Sequence, residues 1–219
     1  TWTVSPTASA TISAAYGDAT KTASLTVTPP AVSSLALSPT SVVGGSTSTG
    51  TVTLNGPAPS GGAVVTLASD NTAAAPASAS VTVASGATTA TFTVTSTAVS
   101  ATTSVTISAS SGGTTRTASL TVTPPAVSSL ALNPTKVAGG STSTGTVILN
   151  GPAPSGGAVV TLTSDDTAVA TGPASVTVAS GGTTATFTIN TFVVTTQKKP
   201  TISATFSGTT QTATLTVTK

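Results

Sequence analysis

Residues 46–67 read STSTGTVTLNGPAPSGGAVVTL, and residues 141–162 read STSTGTVILNGPAPSGGAVVTL. Within each copy, TSTGTV-x-L alternates hydroxyl residues with small or apolar ones, the period-2 pattern of a half-buried strand. NGPAPSGG follows, a run of residues that favour turns. AVVTL then resumes an apolar stretch rich in β-branched side chains, which suit a pleated surface. The stretch therefore reads strand, turn, strand, and it reads so twice.

Outward from this landmark the match widens. Residues 31–124 align with 126–219 at an offset of 95 without a gap, and 66 of 94 positions are identical. The first thirty residues continue the series. Ile12, Leu25 and Val27 stand 95 positions before Ile107, Leu120 and Val122, and TASLTVTPP occurs at 22–30 and 117–125. The expected organisation is the C-terminal part of a preceding unit (1–30, strands E to G), one complete unit (31–125) and a second (126–219). A repeated period signals supersecondary units in series. Thr-Pro-Pro joins them at 28–30 and 123–125. Two prolines hold such a step extended, as a short semi-rigid spacer. The start at Thr1 rather than Met suggests a processed or truncated product, and the lack of Pro-Pro after Lys219 suggests that the array ends there.

In the first complete unit the pattern predicts strand A near 32–37, a break at Pro39 and a short continuation at 41–43. Strands B, C, D, E, F and G follow near 49–54, 63–68, 79–84, 88–95, 104–110 and 114–123. Phe92 and Val94 alternate with Thr91, Thr93 and Thr95, and Leu120 and Val122 alternate with Ser119, Thr121 and Thr123. Each strand thus has an apolar and a hydroxyl face, so each sheet has one buried side. Seven short strands in one unit fit a two-sheet sandwich. The expected core is Leu35, Leu37, Val52, Leu54, Val65, Leu67, Val81, Val83, Phe92, Val94, Val105, Ile107, Leu120 and Val122, with their counterparts.

The order LxLxP…GG…GTVTL…GG-x-VVTL-x-S…PASVTV-x-SG-x-TTATFTV…VTISA…G-x-T-x-TASLTV resembles the bacterial immunoglobulin-like tandem repeats of large surface and extracellular proteins. The resemblance covers the whole chain, as one partial and two complete units. It implies an all-β fold of tandem immunoglobulin-like β-sandwich domains, about seven strands each, an extracellular or cell-surface location and no enzyme activity. One such fold hosts many functions, so the likeness speaks weakly to the task.

Composition narrows the chemistry. Only 5% of residues are charged, against about 25% in an ordinary soluble domain. Mean hydropathy is positive and net charge is +2, which is not the signature of a disordered chain. The surface is solvated by hydroxyls, and so little charge repulsion favours association. Glu, His, Cys and Met are absent. That removes disulfides, thiolate catalysis and the common triads and metal sites. Six basic residues are spread along the chain, paired only at Lys198–Lys199. Nucleic-acid binding needs a basic patch, so none is expected. No run approaches the ~18 apolar residues of a membrane span, so no membrane insertion is expected either. No cofactor is implied.

Several individual residues admit both a functional and a plain structural role. Asp165–Asp166, matching Asp70–Asn71, could offer oxygens for weak calcium binding, but turn chemistry explains Asp and Asn there equally simply and is the favoured reading. Lys136 as an isopeptide donor is disfavoured, because its counterpart is Ser41. Arg116 reads as a solvated strand residue and Tyr16 as a cap on the sandwich end. TWTV at 1–4 mirrors TFTV at 91–94, which would place Trp2 in a core; the strict offset instead sets it opposite Thr97 and Phe192, at a loop tip. The E–F loop of the last unit departs most from its counterpart. Aromatic and exposed apolar groups enrich interfaces, so Trp2, Phe192, Val193, Val194, Lys198 and Lys199 are the candidate inter-subunit contacts.

These observations point to a structural protein, an array that forms or extends a secreted or cell-surface fibre, sheath or stalk, with copies of itself as partner. Uncharged edge strands favour association, and, if Thr1 is the true start, an N-terminal fragment lacking strands A to D favours head-to-tail assembly. The alternative is an adhesin-type module that recognises a glycan or another cell-surface partner.

Overall fold

A computed structural model describes residues 7–219, all of it strands, turns and loops. Two compact units divide the chain: Thr1–Ser41, Thr47–Thr95 and Ser104–Thr121 in one, and Val42–Ser46, Ser96–Thr103 and Val122–Lys219 in the other.

The first complete repeat is a two-sheet sandwich. One sheet has three strands in the order β3 (Val32–Ser38), β5 (Thr47–Leu54), β8 (Thr89–Thr95). The other has five, in the order β4 (Ser41–Val43), β10 (Thr114–Thr123), β9 (Thr103–Ser111), β6 (Ala63–Ser69), β7 (Ser80–Val83). The second repeat gives the same layers. β11 (Val127–Asn133), β13 (Thr142–Leu149), β17 (Thr184–Thr191) and β15 (Ala170–Thr171) form one sheet, and β16 (Ser175–Val178), β14 (Ala158–Ser164), β18 (Thr201–Phe206) and β19 (Thr209–Thr214) the other. β12 (Lys136–Ala138) pairs in parallel with β20 (Thr216–Thr218). These are tandem immunoglobulin-like sandwiches.

The expected alternation sets the core. Twelve of the fourteen expected core positions of the first repeat are buried, while Leu35 and Val81 are half-buried. Burying one such side chain contributes about 1.5–3 kcal/mol. In both repeats the central strand carries a glycine beneath the core phenylalanine. Gly50 faces Phe92 across the β5–β8 pair, and Gly145 faces Phe187 across β13–β17. A Cβ on either glycine would collide with the ring.

Two features lie beyond what the strand pattern specified. The segment named D pairs with β6, in register Ala63↔Val83 to Thr66↔Ser80, so it extends the C–F–G sheet rather than the A–B–E sheet. In the second repeat a two-residue strand, β15, does sit beside β17. Its counterpart, Ala75–Pro76, lies in no strand. Pro76 stands where the second repeat has Thr171 and has no N–H to give a ladder.

β1 (Ala8–Tyr16) and β2 (Ala19–Val27) precede both sandwiches. They pair with each other from Ala8↔Val27 to Tyr16↔Ala19 and form a sheet of two. Gly17, at φ +54, opens the tight turn between them. That left-handed conformation costs glycine least.

Candidate functional site

Polar side chains inside the sandwiches serve the fold. Ser48 sits on an inward position of β5, and its hydroxyl donates to the Pro39 carbonyl at 2.7 Å; Ser143 does the same to Pro134 at 2.7 Å. Each pins the bend after the first strand of its repeat. Ser96 Oγ donates to the Ser46 carbonyl at 2.7 Å, and Thr191 Oγ1 to that of Ser141 at 2.6 Å. Among the described residues every buried side-chain nitrogen and oxygen has a hydrogen-bond partner. None is left aimed at an absent ligand.

The carboxylates are occupied in the same way. Asp70 accepts the Thr106 N–H at 2.8 Å, and Asp165 accepts that of Thr201 at 2.8 Å. Asn71 Oδ1 accepts the Ala74 N–H at 3.1 Å. Asp166 starts the equivalent turn: its carbonyl accepts from Val169 and Ala170. The Asn71 and Asp166 bonds close the local turn expected there, whereas Asp70 and Asp165 reach 36 residues along the chain and fasten the loop to strand F. Among the described residues no three acidic or metal-ligating side chains come together. Lys136 is exposed on β12. Arg116 has a role that the sequence concealed: its Nε donates to the Ser33 carbonyl at 3.0 Å, tying β10 to β3.

The candidate contact residues separate on inspection. Trp2 lies outside the described residues. Phe192 is 48% exposed and Val193 82% exposed. Val194 is buried in the core of its own sandwich, so it is withdrawn as a surface contact. Lys198 and Lys199 are exposed, and the Lys198 backbone exchanges two hydrogen bonds with Val217 at 2.9 Å each. Pro200 replaces the core Val105 of the first repeat. It cannot donate to a ladder, and β18 starts only at Thr201. The loop thus carries an exposed Phe–Val pair where the first repeat has Thr97 and Ala98.

Sequence reasoning missed one cavity. About 290 Å³ of space opens beside β14, β17 and β18, floored by Leu162, Phe187, Ile189 and Ile202 and rimmed by Ser164, Thr167 and Thr171. No titratable side chain lines it. Such a lining excludes water from an apolar group but offers no acid or base. Gly172 lies on its wall, with room for a methyl group at ordinary contact distance from Phe187 and Ile189. The aligned residue in the first repeat is Ala77, a one-methyl difference too small to be noticed as a site.

A further exposed apolar surface lies on the N-terminal hairpin. Ile12, Leu25 and Tyr16 on β1 and β2 are 59%, 52% and 92% exposed. The register puts Ala10, Ile12, Tyr16, Ala23, Leu25 and Val27 on one face of the hairpin, with Lys21 near the turn on the same face, and the hydroxyl residues with Ala15 on the other.

No family model matches the sequence, and no curated protein matches it. Solved structures of similar form include the Escherichia coli adhesin FdeC, 17% identical over 90% of this chain and 69% of that one, with a TM-score of 0.40. An I-band fragment of titin is 11% identical over 97% of this chain and 74% of its own, with a TM-score of 0.38. A titin domain pair solved with telethonin is 16% identical over 86% and 94%, with a TM-score of 0.35. Likeness at this level carries no argument about what the chain does.

Proposed function

We propose that this chain is a structural segment, an immunoglobulin-like repeat array that forms or extends a secreted or cell-surface fibre, sheath or stalk and associates with copies of itself. One observation carries the reading. The same 95-residue unit closes nearly the same core twice, while its outward strand positions are mainly hydroxyl residues. Repetition adds length and valency. Chemistry at one site would need a position where the copies diverge around convergent titratable groups, and the described residues offer none.

Association is supported by the sparse surface charge and by the exposed Phe192–Val193 pair. Negative-stain microscopy with light scattering of the full chain tests the reading. Concentration-dependent filaments or chains are expected; a monodisperse monomer at every concentration would sink self-assembly.

The divergent loop at 191–199 also favours a second reading, an adhesin-type module with Phe192 and Val193 as contact residues. A glycan array separates the two. Reproducible hits that disappear in Phe192→Ala would promote recognition over structure.

A further inference from the structure

We infer that the β1–β2 hairpin is the last third of one more sandwich, and that strands A to E of a further 95-residue unit, upstream on the same polypeptide, cover its apolar face. The inference takes the strict 95-residue offset, which sets Trp2 opposite Thr97 and leaves strand E to the upstream unit instead of within 1–30 as expected above; it needs only the repeat and the exposed face, and stands apart from the fibre reading.

Residues 8–27 and 103–122 are identical at 13 of 20 positions. Ile12, Leu25 and Val27 correspond to Ile107, Leu120 and Val122, each of which is 0% exposed in the complete sandwich. There the inner face of the β3–β5–β8 sheet lies across from them. On the hairpin Ile12 and Leu25 are exposed, while Val27 is half-buried. A two-stranded hairpin alone is marginally stable in water, so this face is built for a cover.

The pairing edge specifies the cover further. In the complete unit β9 hydrogen-bonds to β6 along Thr66↔Ser110 to Ser69↔Ile107. The corresponding edge of β1 runs from Ala15 back to Ile12 and pairs with no strand among the described residues. Thr106 also gives its N–H to Asp70. Its counterpart Thr11 predicts an aspartate at the matching position of the partner. The occupant must therefore present an apolar A–B–E face, a free strand C edge and that aspartate, which together describe strands A to E of this repeat.

Sequence order assigns the source. β10 runs into Thr123-Pro124-Pro125, and the strands that cover it precede it in the chain; β2 runs into Thr28-Pro29-Pro30 in the same way. A folded second copy offers no such surface. Its A–E strands are already covered, since Leu120, Val122, Leu215 and Val217 are fully buried.

The test extends the full chain. A copy of residues 31–95 is fused directly before Thr1, which keeps the 95-residue spacing, and amide hydrogen exchange is followed over 8–27. These amides exchange fast in the unextended chain. In the extended chain they gain ~100-fold protection, approaching that of β9 and β10. Ile12→Asp with Leu25→Asp abolishes the gain, while Ser9→Asp, on the hydroxyl face, leaves it. Exchange equally fast in both chains overturns the inference. Protection that arises only when the 31–95 segment is added as a separate chain overturns its assignment to the same polypeptide. A second variant guards against a poor junction: residues 103–122 of the full chain are replaced by the sequence of 8–27. The first sandwich is expected to keep its cooperative transition; its failure to fold also overturns the inference.

Discussion

The β1–β2 and β9–β10 hairpins carry the string TAS-L-T-V on their second strand and TIS on their first, yet their burial is opposite. Leu120 is fully enclosed and Leu25 is 52% exposed. Both hairpins form the same ladder, because hydrogen bonds between neighbouring strands and a tight turn are local properties. Burial is not local. It depends on the opposing sheet, 10 Å away across a sandwich. A strand's alternation says which face wants a cover, and only the rest of the fold says whether it has one.

Truncation should expose this difference most sharply. Leu120→Ala or Ile107→Ala is expected to cost about 2–5 kcal/mol in urea unfolding of the first sandwich. Leu25→Ala or Ile12→Ala should change the same transition by less than about 0.5 kcal/mol. Equal losses at both hairpins would erase the contrast. The sheet that covers β9 and β10 offers the next handle. Gly50→Ala drives a methyl group into the Phe92 ring and should cost about 1–3 kcal/mol, read as a lowered urea midpoint; Gly17→Ala in the exposed turn should leave that midpoint unmoved.

Smaller effects sharpen the picture. Ser48→Ala removes the donor to the buried bend at Pro39, with an expected loss of about 1–2 kcal/mol; Ser9→Ala, on the open hairpin, should be neutral in the same thermal scans. The smallest effect has the opposite sign. Gly172→Ala adds a methyl group to the cavity wall where space exists and limits the unfolded chain. It should stabilise the second sandwich by about 0.4–1 kcal/mol, seen as a raised melting temperature.

Much of the architecture was legible before any coordinates. Phe92, Val94, Leu120 and Val122 lie inside as their alternation requires, whereas the reach of Asp70 and Asp165 to strand F, 36 residues on, left no local sign. The partner of residues 80–83 was not legible, because SVTV alternates equally well on either sheet. Val194 deceived for a related reason. In a loop no period assigns a side, so an apolar side chain beside exposed Phe192 and Val193 looked exposed itself, although its counterpart Val99 is half-buried. The cavity escaped notice because it arises where two layers fail to meet, which no single strand records.

By itself the sequence determined the unit length, the strand faces, the hydroxyl surface and the absence of thiol and imidazole chemistry. Each follows from composition or from a period along one chain. Tertiary structure alone decided which sheet residues 80–83 join, which loop side chains turn inward and which of two matching hairpins is enclosed. Those outcomes depend on contacts between segments far apart in the chain, and such contacts leave no periodic trace.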